Sequence, residues 1–112
     1  MISNEGLAGG IIGLGIGVDG LIDNSMNTGD ITGGTEAGGI VGGVLDSNWT
    51  ISSAQNSGNI DAYYAAGGVV GAVLNSTVTM SQCVNTGIIS STGYFGPFYG
   101  YADSYSNVII LP

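Results

Sequence analysis

The sequence predicts an all-β protein, a β-solenoid (parallel β-helix) of about four coils with 29 residues in each coil. The phrase Gly-Gly-Ile-Val-Gly at 38–42 recurs in similar form at 9–13 and 67–71, and a degraded copy stands at 96–100. A second phrase, Asn-Thr-Gly or Asn-Ser-Gly, recurs at 27–29, 56–58 and 85–87. Because both phrases keep one spacing without insertion or deletion, we expect a single supersecondary unit to stack on itself.

Each coil is predicted to contain three short strands. The first covers about 37–45 and the second about 49–55, and the third is the short run around Ile31, Ile60 and Ile89. Runs this short, bounded by Gly, Asn, Asp and Ser, are typical of strands rather than helices. One domain, 1–112, is therefore expected, with coils at about 1–29, 30–58, 59–87 and 88–112.

Residues at equivalent positions of successive coils form what we call a row. The second strand has an apolar row made of Ile22, Ile51, Met80 and Ile109. Trp49 falls in a row that is not uniformly apolar, since Gly20, Val78 and Asn107 share it, and it is predicted to be partly exposed.

One corner is predicted to carry a structural ladder of asparagine side chains. The Asn-x-Gly phrase is a turn sequence, because Asn and Gly accept a positive φ. In a stacked coil each amide would then hydrogen-bond the next. The members of this ladder are Asn27, Asn56 and Asn85.

The charge balance excludes several classes of partner. The 112 residues carry eight Asp or Glu and no Lys, Arg or His, so the net charge is −8. Nucleic acids and anionic membranes need cationic side chains, and no hydrophobic run is long enough to insert into a bilayer. The partners left are cations, neutral glycans, a host surface and other copies of the same chain.

No enzyme and no cofactor are predicted. Without His or Lys the chain contains none of the usual nucleophile–base pairs. The carboxylates fall in different rows, which gives no pair for glycoside hydrolysis. A calcium site is conceivable where Asp19, Asp46, Asn48 and Asn75 approach one corner, but the spacing matches no calcium loop, and a plain polar turn is favoured.

Two weaker sequence signals point to glycosylation and to ice binding. Asn48 and Asn75 begin Asn-x-Thr sequons and are candidate glycosylation sites if the protein is exported. Thr50 and Thr79 align as in an ice-binding array, but Leu21 and Val108 flank them in the row. Ice binding is therefore less favoured than a filament subunit or a fragment of an adhesin stalk.

The two ends of the solenoid carry the leading functional hypothesis. Open coil ends attract other strands, and no polar cap covers them in the sequence. Four full coils of 29 residues would be longer than the chain, and the missing positions correspond to 84–87 of the third coil. A second copy that begins after this gap would continue the repeat. Head-to-tail stacking into a filament is predicted. The expected interface residues are Ile2, Leu7, Tyr94, Phe95, Phe98, Tyr99, Tyr101, Tyr105, Ile109 and Ile110.

The pairing of Gly-Gly-Ile-Val-Gly with a downstream Asn-Thr-Gly-x-Ile resembles the GLUG-motif repeats of large bacterial and archaeal surface proteins. The resemblance covers nearly the whole chain and is strongest from Gly9 to Ile89. It implies a β-solenoid on an extracellular or cell-surface protein, with no catalytic residues to transfer. It also supports the alternative hypothesis, that the chain is a fragment of the stalk of a large adhesin.

Overall fold

Five columns of short parallel strands build the protein, a β-solenoid of about four coils. The computed structural model describes residues 6–112, and within that range it contains no helix. The predicted fold class is confirmed.

Every coil repeats the same order of strands. In the first coil these are β1 (Leu7–Gly9), β2 (Ile12–Ile16), β3 (Asp19–Asp23), β4 (Met26–Asn27) and β5 (Ile31–Gly33). In the second they are β6 (Glu36–Gly38), β7 (Val41–Leu45), β8 (Asn48–Ser52), β9 (Gln55–Asn56) and β10 (Ile60–Ala62). In the third they are β11 (Ala65–Gly67), β12 (Val70–Leu74), β13 (Thr77–Ser81), β14 (Val84–Asn85) and β15 (Ile89–Ser91). The fourth coil contains β16 (Tyr94–Gly96), β17 (Tyr99–Ala102) and β18 (Asn107–Leu111).

Like strands stack on like strands. Sheet 1 has the order β1-β6-β11-β16, sheet 2 β2-β7-β12-β17 and sheet 3 β3-β8-β13-β18, while sheets 4 and 5 are the three-stranded β4-β9-β14 and β5-β10-β15. Ile31, Ile60 and Ile89 pair directly, which is the predicted spacing of 29. Four strands about 4.8 Å apart span roughly 14 Å. The shortest dimension of the molecule, 18 Å against 24 and 27 Å, therefore lies along the stack.

In each of the first three coils five strands replace the three that the sequence predicts, because two of the predicted strands bend. The run 37–45 is interrupted between Gly38 and Val41. The run 49–55 is interrupted at Ser53, which has a φ of +55°. A left-handed residue turns the chain out of the first sheet and into the next.

Two hydrophobic cores lie side by side in each coil. The larger, between sheets 2, 3 and 4, contains Ile22, Ile40, Val41, Val44, Trp49, Ile51, Ala54, Val69, Val70, Val73, Val78 and Met80. The smaller, between sheets 1 and 5, contains Ala8, Ile31, Ala37, Ile60, Ala62 and Ala66. The backbones of sheets 1 and 2 nearly touch between the two cores. A Cβ on Gly71 would lie 2.8 Å from the carbonyl oxygen of Ala37, so glycine is required there.

Trp49 is buried rather than partly exposed, with 7% of its surface accessible. Its ring occupies the space left by two glycines of the coil below. A Cβ on Gly20 would lie 2.2 Å from the indole ring, and one on Gly15 would lie 2.6 Å from it. A mixed row thus marks a large side chain that reaches into the neighbouring layer, and not a surface position.

The predicted uninterrupted period is wrong at one corner. Ala102 pairs with Val73 at the usual spacing, but Asn107 pairs with Thr77, which is one residue further. A longer corner at 103–106 replaces the two-residue corner at 75–76. A corner lies outside the ladder of backbone pairs, so it can lengthen while the strands on either side keep their partners.

Because of the extra residue, the predicted row positions of the residues after it are shifted by one. Ile110, and not Ile109, pairs with Met80 in the inward row, while Ile109 pairs with Thr79 in the outward row. Val108, and not Asn107, lies over Val78 in the row of Trp49. The positions missing between the fourth coil and a following copy therefore correspond to 83–87 of the third coil, and not to 84–87 as predicted.

The Asn-x-Gly corner turns without the positive φ that the sequence predicts. Positive φ values occur instead at two other corners, in the rows Gly17, Asp46, Asn75 and Asn24, Ser53, Gln82. The glycines of the Asn-x-Gly corner are needed for close stacking. A Cβ on Gly58 would lie 2.0 Å from the carbonyl oxygen of Gly29.

A matched pair of substitutions tests that role. Gly58→Ala is expected to lower the free energy of unfolding by about 2 kcal/mol or more, because the backbone of two stacked coils must separate. Gly29→Ala is the control, since its Cβ would meet nothing closer than the Asn27 amide oxygen at 4.0 Å. Urea unfolding followed by tryptophan fluorescence measures both. Equal stability of the two variants would contradict close stacking as the reason for glycine.

Candidate functional site

Three asparagine side chains form a hydrogen-bonded ladder along sheet 4. The Asn27 Nδ2 donates to the Asn56 Oδ1 at 2.7 Å, and the Asn56 Nδ2 donates to the Asn85 Oδ1 at 2.8 Å. Each Nδ2 also donates to the carbonyl oxygen two residues later in its own coil. Asn56 is buried, so this ladder satisfies a polar group inside the stack and fixes the register of the coils.

A second ladder, of serines, lies at the corner between sheets 2 and 3 and was not predicted from the sequence. The backbone N–H of Val18 donates to the Ser47 Oγ, that of Ser47 to the Ser76 Oγ, and that of Ser76 to the Ser106 Oγ. The identical spacing of Ser47 and Ser76 is visible in the sequence, but the longer last corner displaces Ser106 from the period. In that corner Ser106 also donates to the Asp103 Oδ1 and, with the N–H groups of Asn75 and Tyr105, holds the pKa of the Asp103 carboxyl below its usual value.

The first face, which we define as the open edges of β1 to β5, exposes an apolar side chain that belongs to the core. Ile11 lies in the row of Ile40 and Val69, both fully buried, yet 51% of its own surface is accessible. Of the predicted interface residues at this end, Leu7 lies in β1 and Ile2 lies outside the described residues.

The last face, defined as the open edges of β14 to β18, is aromatic and concave. Phe98 and Tyr99 continue the inward rows of Val69 and Val70 and pack against the larger core. Phe95 continues a row of buried alanines and is 63% exposed. A depression of about 330 Å³ is lined by Phe95, Pro97, Phe98, Tyr99 and Ile110. Four of the predicted interface residues therefore meet at one site.

The other predicted interface residues at this end lie elsewhere. The rings of Tyr64, Tyr94 and Tyr101 pack against one another, with centroids 4.8 to 5.7 Å apart. Tyr105 projects from the longer corner and is 80% exposed. Ile109 faces outward on sheet 3. None of these four contributes to the depression.

A groove runs along the stack between sheets 1 and 2, and it was not predicted. It encloses about 160 Å³ and is lined by Leu7, Leu14, Leu45 and Leu74, together with Glu36 and Gly43. The Glu36 Oε2 is buried there without a hydrogen-bond partner. Burial raises the pKa of the Glu36 carboxyl above its ordinary value, because an apolar surrounding disfavours the charged form.

Glu36→Gln is expected to stabilise the protein at neutral pH. Because the pKa of Glu36 is higher in the folded protein than in the unfolded chain, its protonation stabilises the folded protein at a pH below the unfolded-state pKa. This stabilisation is lost as the pH rises through the folded-state pKa. The substitution should raise Tm by about 2 °C at pH 7, a small effect because the side chain is partly exposed and solvent screens its charge. The gain should vanish at pH 3.

Thermal melts at the two pH values measure the effect of Glu36→Gln. Asp61→Asn is the control, because it removes the same charge from an exposed carboxylate. A gain at pH 3 equal to the gain at pH 7, or a gain matched by the control, would contradict a burial penalty on Glu36.

The polar corner that was considered for calcium brings Asp19, Asp46, Asn48 and Asn75 around one depression. The Asn75 Nδ2 donates to the Asp46 Oδ1 at 2.8 Å, so this carboxylate oxygen already has a hydrogen-bond donor from the protein. Across residues 6–112 no group of three or more acidic, His or Cys side chains is placed to hold a metal ion. Asn48 and Asn75 are both exposed, and their glycosylation stays a prediction.

No protein-family model, no curated protein and no solved structure matches this chain. Within the described range there is also no helix with the length and hydropathy to cross a membrane. The candidate site therefore has to be interpreted from its own geometry.

Proposed function

We propose that this protein is a structural β-solenoid that assembles head-to-tail, with the last face of one copy covering the first face of the next. The observation that carries the proposal is that, among residues 6–112, side chains of inward rows are exposed at the two faces and buried between them. Ile11 is 51% exposed at one face and Ile110 is 45% exposed at the other, while their row neighbours are buried. Covering both removes core-type surface from water.

The two faces are complementary in row order. Continuing the stack by one coil puts Ile11 of the next copy over Phe98, beside the depression on the last face. Strands β1 to β3 of that copy would extend the parallel ladders of β16 to β18, whose outer backbone groups are open. This contact joins two different surfaces, so it repeats without closing and produces a filament.

The charge of the chain opposes assembly and makes it dependent on salt. Each copy carries −8, with no cation to compensate it. At about 0.15 M salt the Debye length is near 8 Å, so screening weakens the repulsion between copies while apolar burial is unaffected. Assembly is therefore favoured at higher ionic strength.

The alternative is that the next coil belongs to the same polypeptide. The chain would then be a segment of a longer stalk, such as that of a cell-surface adhesin with GLUG-type repeats. The repeated phrases that resemble the GLUG motif support this reading. Both readings place the protein outside the cell or on its surface, where the absence of Lys and Arg leaves trypsin-like proteases no cleavage site. Neither assigns a catalytic residue.

Imaging the purified 112-residue chain tests the proposal. Negative-stain microscopy and sedimentation velocity, at 20 mM and 500 mM NaCl, should show unbranched rods that lengthen with salt and protein concentration. A monomer at every concentration would overturn self-assembly. Further 29-residue repeats beside this segment in its gene, together with a monomeric segment, would favour the stalk.

A further inference from the structure

Among residues 6–112 one carboxylate oxygen is buried without a hydrogen-bond partner, and the sequence has no cationic side chain to pair with it. The Glu36 Oε2 accepts no hydrogen bond within the described structure. The full sequence contains no Lys, Arg or His. A buried carboxylate without a counter-charge is costly, so a cation that satisfies this oxygen must come from another molecule.

The space beside this oxygen has a definite size and polarity. The groove encloses about 160 Å³ and its other walls are leucines of three successive coils, Leu7 and Leu14, Leu45, and Leu74. That is several times the share of one water molecule, about 30 Å³, and less than a drug-sized pocket of about 300 Å³. A short aliphatic chain fits these walls, whereas a bare metal ion would find only one carboxylate side chain among the lining residues.

We infer that this groove binds a primary alkylammonium group, from a free amine or from a lysine side chain, with the methylene stem against the leucines and the ammonium on Glu36. An ammonium has three N–H donors and forms charge-assisted hydrogen bonds with a carboxylate. A lysine stem buries readily on apolar surface. The proposal does not depend on head-to-tail assembly, since the groove runs along the stack.

Among the described residues, the ionisable group shown to interact with Glu36 is Tyr64. Desolvation, then the neighbouring Tyr101 and Tyr94, and then Glu36 raise the pKa of the Tyr64 hydroxyl, so Tyr64 is neutral at pH 7. Glu36 must be ionised to hold an ammonium, and burial raises its pKa. Affinity therefore falls as the pH drops through the folded pKa of Glu36, and the tyrosines do not interfere.

Two substitutions separate the charge from the space. Glu36→Gln keeps the shape of the groove and removes the acceptor charge. Gly43→Ala keeps the charge and adds a methyl 3.4 Å from the Glu36 Oε2 and 2.6 Å from the end of the Leu7 side chain, which is free to turn away. Ala72 already occupies the same row one coil later, so this variant is expected to fold.

Methyl and carboxyl NMR titrations of the whole chain provide the test. The probes are n-pentylammonium, N-acetyl-lysine methylamide and, as the uncharged match, 1-pentanol. Both amines should shift the signals of Leu7 and Leu14. Glu36→Gln should weaken binding about tenfold, the loss of one charge-assisted hydrogen bond, and Gly43→Ala should weaken it because the added methyl takes up space in the groove. Pentanol affinity should not respond to Glu36→Gln.

The other outcomes of the titrations either overturn the proposal or identify the source of the ammonium group. Equal binding of pentanol and pentylammonium, or amine shifts only at exposed carboxylates such as Asp61, would overturn it. Binding of the free amine without the lysine derivative supports a small-molecule ligand, and binding of both supports a lysine side chain as well.

Discussion

Ile110→Lys is expected to abolish the filaments and leave the coils folded. Ile110 continues the inward row of Met80 and lines the depression on the last face. In a single copy it is 45% exposed, so a lysine there reaches water at little cost. In the assembly the ammonium would be buried without a partner, at a cost of several kcal/mol, which shifts the association equilibrium by a factor of a thousand or so. Microscopy and sedimentation report the assembly, and circular dichroism reports the fold.

Ile109→Lys is the matched control for this experiment. The two isoleucines are adjacent and similarly exposed, but Ile109 faces outward on sheet 3 beside Thr79. Rods should therefore persist in Ile109→Lys, with an altered salt dependence because one negative charge is offset. Rods that survive Ile110→Lys, or that are lost equally in both variants, would show that the last face is not the contact.

Asn56→Ala should be the most destabilising single change at the asparagine corner. Its side chain donates to Gly58 and to Asn85 and accepts from Asn27, and it is buried. Truncation removes all three bonds and leaves the Gly58 carbonyl oxygen without this donor between two coils, which should lower the free energy of unfolding by about 3 kcal/mol. Urea unfolding measures this loss.

Asn27→Ala provides the comparison, because the same residue type lies at the first face instead of between two coils. It loses one bond to Gly29 and one to Asn56, and water can replace part of what is lost. We expect about 1 kcal/mol. An equal loss of free energy of unfolding in the two variants would show that burial between two coils does not strengthen the contribution of an asparagine to the ladder.

Periodicity alone predicts the rows of this fold well. Two phrases at one spacing are sufficient to align Ile31 with Ile60 and Asn27 with Asn56, because a parallel in-register stack puts each residue over its equivalent. The same reasoning identifies Phe95 and Phe98 as residues of the last face, since they replace smaller side chains in established rows.

Features that break the repeat cannot be predicted in this way. The extra residue at 103–106 is hidden because Ile109 and Ile110 are alike, and either one completes an apolar row. Ser53 and Gln82 adopt a positive φ that neither residue type favours. The groove at Glu36 arises where two sheets approach each other, and spacing along one chain carries no information about that distance.

The longer last corner shows where such a chain tolerates changes in length. Ser106 re-enters the serine row after one added residue, and the strands before and after it remain paired. In this chain the layers above and below restrict the side chains of the strands, whereas the corner at 103–106 accommodates an added residue. A foreign peptide grafted into 103–106 would be displayed on the outside of the column without disturbing its pitch.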